Sequence, residues 1–266
     1  VASGGDPNHT AILDNFSWGN CDKPDRLGAL VHASKGCYAA AMAYGTPFVS
    51  GKDSLNNEYR VGDETLAIPP TLYVTAMSRV PNVANAVTMD AKKEGNLLLL
   101  VGVTNPELGG SEYLDLIGED GGAVPRPDLE RAPKVLEKLH AAMKLKQVRS
   151  CHDLSEGGLA VAVAEMCMAG GIGAEIDLGA IDHEPFPHAY DEDATLLFSE
   201  SCTRFLVEIE PGKKFNFQTK MMGVAVTPVG RLSKRDRLSV KGVGGRQIID
   251  VTVNELREAF HSGFQG

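Results

Sequence analysis

The chain has 266 residues, 43% of them hydrophobic and 23% charged, and carries a formal net charge of -9. That length holds one large domain or two ordinary ones, and the acidic balance argues against nucleic acid or an anionic membrane as the main partner. The longest apolar run, "NLLLLVGV", is far too short to span a bilayer.

Five cysteines, Cys21, Cys37, Cys151, Cys167 and Cys202, lie far apart with no CxxC spacing. That argues against a zinc site, and the odd count fits a reducing cytosol. The opening "VASGGDPNHT" has neither a basic nor an apolar targeting stretch and no initiator Met. A processed protein or a piece of a longer one is therefore expected.

In chain order, Thr10 to Leu13 reads as a short strand running into the polar loop "DNFSWGN". "DKPDR" opens a helix, with Pro24 suited to the first turn. Leu27, Leu30, Val31, Ser34, Cys37, Tyr38, Ala41 and Met42 follow one helical face, and Gly45 and Pro47 end it. "TPFVS" reads as a short buried strand that delivers a loop at Gly51, and Thr71 to Met77 as a further strand. The polar "DAKKEGN" marks the expected domain boundary.

"LLLLVGV", Leu97 to Val103, reads as the first buried strand of a second domain. Glycine-rich loops around one short helix follow. Leu129 to Met143 is amphipathic, and a largely apolar core helix is predicted from near Ser155 to Gly170. "RFLVEIE" alternates as a strand does, and "VAVTPVGRL", "RLSVKG" and "RQIIDV" are further strands. The basic "RLSKRDR", Arg231 to Arg237, reads as a solvated loop. A helix over Val253 to Phe264 closes the chain. Helices and strands mix without a strict βαβ rhythm, so the predicted class is α+β rather than a doubly wound sheet.

Three stretches invite phosphate chemistry. "GTPFVSGKDSLNNE" has five residues between Gly45 and Gly51, and Asp53 after Lys52, so it fails as a Walker A loop. It comes closer to the "SGGxDS" loop of ATP pyrophosphatases, with one glycine missing. A tight turn after a strand fits equally well. "HDLSEGGLAVAVAE" runs a polar loop into a helix start, where free N–H groups and small glycines suit an anion. There Asp153 is a candidate Mg²⁺ ligand; the alternative is an ordinary N-cap by Ser155. "LLFSESCTRFLVEIE" reads as a polar turn with a surface ion pair at Arg204.

"LDNFSWGNCDKP", "GTPFVSGKDSLNNE", "LGGSEYL", "HDLSEGGLAVAVAEM" and "LFSESCTRFLVEI" occur in this order. The ordered set resembles the C-terminal half of the phosphoribosylformylglycinamidine synthase family. "HDLSEGGLAVA" alone fits the wider superfamily that includes aminoimidazole ribonucleotide synthetase and selenophosphate synthetase. The resemblance implies the end of a second A-type, barrel-forming domain over residues 1–90 and a complete second B-type α+β domain over residues 91–266. It implies ATP-dependent amidation of formylglycinamide ribonucleotide with glutamine-derived ammonia.

It also implies ATP and Mg²⁺ as cofactors. The implied partners are the upstream N-terminal half and a glutaminase subunit or domain. By matching position, Asp14, Gly51 and Ser155 would contact nucleotide, Lys52 and Ser54 substrate, and Asp153 the metal, with Asp153 and Ser155 falling at what is, in the large single-chain type, an auxiliary, non-turnover site. Lys52 stands where small-type members carry an Asn that binds Mg²⁺, and a protonated lysine ligates no metal. Ser199 and Glu200 match a pseudo-symmetric copy of a substrate segment and are not counted as ligand contacts. The family's catalytic His lies in the first half, so no catalytic residue is expected here. Two alternatives stand: a structural module with a degenerate auxiliary nucleotide site, and an ATP pyrophosphatase.

Overall fold

The computed structural model describes residues 1–183, 186 and 191–263; Phe264, placed by sequence in the closing helix, lies outside them. Two compact units divide the chain, Gly5–Pro81 in one and Val1–Gly4 with Asn82–Gly266 in the other.

In the smaller unit, β1 (Thr10–Ser17), α1 (Pro24–Tyr44) and β2 (Phe48–Ser54) form a βαβ unit. β1 and β2 run parallel, as a helical crossover allows. Pro24 sits in the first turn of α1, and Gly45 closes it in the left-handed conformation at φ 64°. A hairpin of β3 (Glu58–Val61) and β4 (Glu64–Ala67) leads to β5 (Thr71–Ser78), which pairs antiparallel with β1. β1 is thus the centre of a β2-β1-β5 sheet.

Two local expectations change. The strand expected to end at Leu13 runs on to Ser17, because Asp14 to Ser17 find ladder partners on both sides. "TPFVS" is not buried: Phe48 and Val49 are 38% and 58% exposed on the edge strand β2. The apolar row of α1 is exposed as well, at Leu27, Val31, Tyr38 and Met42. Within Gly5–Pro81 the buried hydrophobic side chains are Phe16 and Trp18.

The larger unit is built on seven strands: β6 (Leu97–Val101), β7 (Ser150–Asp153), β8 (Gly173–Asp177), β9 (Phe205–Ile209), β10 (Val226–Ser233), β11 (Arg237–Lys241) and β12 (Gln247–Thr252). Their order is β12-β11-β8-β10-β6-β9-β7, antiparallel except for the β8–β11 pair. The helices are α2 (Glu112–Ile117), α3 (Ala132–Lys144), α4 (Gly158–Gly170), α5 (Glu192–Phe198), α6 (Lys214–Lys220) and α7 (Val253–Ser262). "RLSKRDR", expected as a loop, is mostly the end of β10 and the first residue of β11, joined by a short turn.

The run of leucines in β6 is explained by burial on both faces. Leu98 and Leu100 join the core under α4, α5 and α7, whereas Leu99 and Val101 join the core under α3 and α6. β9 has the same arrangement, with Leu206 in the first core and Phe205, Val207 and Ile209 in the second. Its alternating polarity therefore does not mean alternating exposure: Glu208 is 0% exposed.

Four donors satisfy that carboxylate. They are the backbone N–H groups of Lys92 (2.8 Å) and Lys93 (3.2 Å), Nδ2 of Asn96 (2.5 Å) and the hydroxyl of Ser150 (2.7 Å). The charged stretch "DAKKEGN" is thereby bound to the sheet.

α4 is apolar around most of its circumference, and Leu159, Ala162, Val163, Met166 and Cys167 are buried. Its first residue, Gly158, has φ 59°, and a Cβ there would collide with the carbonyl oxygens of Ser199 and Leu197. The start of α4 thus approaches the end of α5 at a distance only glycine permits.

Glu208→Gln places an amide donor against groups that already donate, and should cost about 2 kcal/mol in urea unfolding. Glu210→Gln, two residues on and 43% exposed, should cost about 0.5 kcal/mol or less. Equal losses would show that the carboxylate network contributes nothing. Gly158→Ala should destabilise by more than about 2 kcal/mol, read by the same titration.

Candidate functional site

The candidate residues form three groups. In the smaller unit, Asp14 on β1 pairs directly with Gly51 on β2. Any Cβ at residue 51 would strike the Asp14 carboxylate, so the glycine gives this half-buried acid room beside bare backbone. Cys37 of α1 lies close enough for Asp14 to raise its thiol pKa, after burial as the larger cause.

Successive residues of a strand face opposite sides. Asp14, Phe16, Gly51 and Asp53 therefore share one face, and Asn15, Ser17, Lys52 and Ser54 the other. Lys52 Nζ donates to Ser54 Oγ. The two residues matched to substrate contacts are thus together, across the sheet from the two matched to nucleotide. Residues 50–54, expected as a turn or phosphate loop, are extended strand. The reason is register, since Leu13 through Ser17 pair one for one with Ser50 through Ser54.

In the larger unit, β7 ends at Asp153, and a short turn leads to α4. Ser155 Oγ donates to Asp153 Oδ2 at 2.6 Å. Ser155 is not the N-cap; that position is Gly157, at φ 73° with no side-chain cap. Glu200 supplies the acceptor instead, its Oε1 taking the Gly157 N–H at 2.9 Å. One N–H of the predicted anion-binding helix start is therefore already held by a carboxylate of the chain itself.

His152 stands between two acids. Its Nε2 is 2.7 Å from Glu165 Oε2 on α4, and its Nδ1 is 3.5 Å from Asp153 Oδ1. Asp153, then Glu165, pushes the imidazole above its ordinary pKa against the opposing effect of burial. Asp153 is held well below the usual carboxylate range, by His152 first and the Ser155 hydroxyl next. It is an anion at neutral pH, and its side chain is 55% exposed.

That donor set can be tested against Mg²⁺. Among the described residues no three His, Cys, Asp or Glu side chains converge on one point. One exposed carboxylate is what Mg²⁺ takes when phosphates and water complete its shell. The residues therefore fit a nucleotide-bridged ion, not a self-contained metal cage.

The turn after α5 corrects another expectation. Arg204 is 1% exposed and makes no surface ion pair. Its Nε donates to the Ser201 carbonyl at 3.0 Å, one terminal nitrogen to Thr104 Oγ1 at 3.0 Å, and the other to the Ser199 carbonyl. Burial pulls the guanidinium down to about 10. Ser199 is also buried, its hydroxyl donating to the Asn105 carbonyl at 2.6 Å. These residues shape the turn. Glu165, the capping role of Glu200 and the buried role of Arg204 were not identified from sequence, because no spacing rule connects them to the residues they hold.

Comparison with known proteins places this geometry in a family. Residues 93–243 match the family described as AIR synthase related protein, C-terminal domain. The chain is 38% identical over 200 residues to a phosphoribosylformylglycinamidine synthase subunit PurL of Thermococcus sibiricus, covering 75% of this chain and 27% of that one. The PurL of Methanocaldococcus jannaschii is 32% identical over 257 residues, covering 96% and 34%. The chain thus spans about a third of the length of these curated relatives.

In fold it is similar to T. maritima PurL complexed with FGAR, at TM-score 0.74 and 19% identity over 96% of this chain and 40% of that one. E. coli HypE, a hydrogenase maturation protein, is similar at TM-score 0.70 and 17% identity, covering 95% and 75%. Both likenesses agree with the α+β class. Because the family match takes in more than half of its length, the chain belongs to the AIR synthase-related family.

Proposed function

We propose that this chain is the C-terminal half of a phosphoribosylformylglycinamidine synthase, the ATP-dependent ligase that makes an amidine from formylglycinamide ribonucleotide in purine biosynthesis. The observation that carries the reading is the similarity to PurL subunits over nearly the whole chain, at 31% to 35% identity. The structures titled as PurL complexed with FGAR, ATP, ADP and AMPPCP share the fold and support the same substrates. The site of action is the cytoplasm, in keeping with the unpaired cysteines.

In this reading residues 1–90 are the end of an A-type domain and residues 91–266 a B-type domain. The scarcity of buried apolar side chains in Gly5–Pro81 supports an upstream half as the cover of its sheet. Ammonia comes from a glutaminase; a PurLQS structure from T. maritima is among the similar folds.

The chemistry is phosphoryl transfer to a formamide oxygen, then displacement of phosphate by ammonia. Positioning and charge neutralisation dominate such a transfer. Asp14 and Gly51 hold the nucleotide where two strands meet, the glycine letting the ligand approach the backbone. On the opposite face, Lys52 places a cation beside the Ser54 hydroxyl, suited to an anionic substrate. Asp153, kept ionised by His152 and held by the Ser155 hydroxyl, is the residue that would hold Mg²⁺. Mg²⁺ when bound neutralises nucleotide phosphate charge.

A second reading has support of its own. Asp153 and Ser155 form a complete pair within the larger unit, and Lys52 stands where a metal-binding Asn is expected. Both fit an auxiliary nucleotide site that stiffens the active half. The extended backbone at residues 50–54 does not favour a pyrophosphatase loop.

Joined to its upstream half, the chain should support ATP- and ammonia-dependent amidation with release of orthophosphate; pyrophosphate as product, or an intact folded assembly without activity, would overturn the ligase reading. Nucleotide binding by calorimetry separates the two site readings. Asp14→Ala should weaken ADP by about tenfold or more if the nucleotide is held at the Asp14–Gly51 strand pair. A loss confined to Asp153→Ala assigns the nucleotide to the auxiliary site.

A further inference from the structure

The larger unit contains a second cavity, of about 490 Å³, lined by neither Asp153 nor Ser155. Its walls come from the end of β6, the start of α3, the turn at Cys202–Thr203 and the residues just before β10. The side chains that matter are Asn105, Arg126, Asp128, Arg131, Lys134 and Thr203.

Three of these six are cations; Arg131 is in an ion pair with Asp128, whose charge Lys134 also feels at longer range. The Asp128 carboxylate accepts the N–H groups of Glu130 and Arg131 at 3.0 and 2.9 Å and pairs with Arg131 Nε at 3.2 Å. The backbone donors hold its pKa down, and its charge is committed to the start of α3 and to Arg131. Arg126 and Lys134 have no ion-pair partner among the described residues. Both line the same cavity.

The wall is built rather than loose. Glu107, 8% exposed, fixes the Arg126 N–H at 3.0 Å. Its own carbonyl accepts the Glu200 N–H at 3.1 Å. The segment that carries Arg126 is thus tied to the turn that carries Cys202 and Thr203. At the cavity floor Gly102, φ 101°, lies so close to Thr203 that a Cβ would sit 2.8 Å from the Thr203 carbonyl oxygen. Thr203 itself is left-handed at φ 58°, an outlier for a β-branched residue.

We propose that this cavity binds a small phosphorylated metabolite, whose phosphate is held by Arg126 and Lys134. The volume suits a nucleotide-sized or smaller ligand. Two unpaired cations on one wall suit a phosphate dianion, since charge-assisted bonds to phosphate are the strong ones. Nucleic acid is disfavoured by the net charge of -9. The inference is independent of any ligand at Asp153.

The test uses the chain as it stands, titrated by calorimetry with ribose 5-phosphate and separately with unphosphorylated ribose, in about 0.15 M salt. Ribose 5-phosphate should bind and ribose should not. The double variant Arg126→Ala, Lys134→Ala should weaken binding by about tenfold or more, whereas Lys220→Ala, which removes an exposed cation of α6 that does not line the cavity, should leave it unchanged. Both replaced side chains are exposed, and thermal melting verifies that the fold is kept. Lys134→Gln alone, with a smaller loss expected, gives a second variant. The proposal is overturned if ribose 5-phosphate does not bind at millimolar concentration, if ribose binds as well, or if the double variant binds as the parent does.

Discussion

A carboxylate sealed from water governs the larger unit. Glu208 is fully buried on β9, between β6 and the edge strand β7, and its four donors come from two separate places: Lys92, Lys93 and Asn96 in the stretch leading into β6, and Ser150 at the start of β7. An unpaired charge there would cost several kcal/mol, so the strands assemble in the one register that brings the donors in. That register fixes the far ends of the same strands. β7 begins at Ser150 and ends at Asp153, while β9 carries Glu208 and begins just after Arg204. The buried ion thus anchors β7 at Ser150, three residues before the candidate acid, and lies on β9 four residues after Arg204 of the turn that follows α5.

The polar groups at that end are unusually well provided for. Arg204 fills the carbonyl oxygens of its own turn, and Glu200 takes the Gly157 N–H at the head of α4. Such satisfaction makes the turn rigid and leaves it with little spare bonding capacity for a ligand. The open capacity is found on either side. Asp153 is an exposed anion suited to a cation, and Arg126 with Lys134 are exposed cations suited to an anion. A site built this way separates framework from ligand contact: the buried ions hold the shape, and the exposed ones are free to bind.

Much of the fold could be read from residue pattern because the pattern is local. The leucine run of β6, Pro24 and Gly45 around α1 and the apolar α4 each carry their own signal. Expectations failed where tertiary context decides. "DNFS" looked like loop because it is polar, yet a central strand is held by ladders on both sides whatever its side chains. Gly51-Lys52-Asp53-Ser54 looked like a phosphate turn for the same reason. Arg204 looked like a surface charge and the burial of Glu208 went unread, since nothing nearby in sequence names the donors and acceptors that permit their burial. The candidate acids were legible by resemblance, but the His152–Glu165 contact that fixes one of them spans thirteen residues and two elements and leaves no local trace.

The smaller unit imposes a different constraint. Gly5–Pro81 buries Phe16 and Trp18 but leaves Val49, Tyr73, Val74 and Met77 at least half exposed on its sheet. At roughly 25 cal/mol per Å² of apolar surface removed from water, two side chains offset little of the entropy lost by ordering so many residues. A sheet with this composition gains its stability by being covered. These four exposed residues are apolar or aromatic and lie beside the exposed polar Lys52, Asp53 and Thr75, so the surface is mixed but more apolar than a solvated sheet needs. Asp14, Gly51, Lys52 and Ser54 lie on the two strands of that sheet that run parallel. A surface that covered either face of the sheet would therefore also set the surroundings of two of those four residues, coupling their binding chemistry to the stability of the unit.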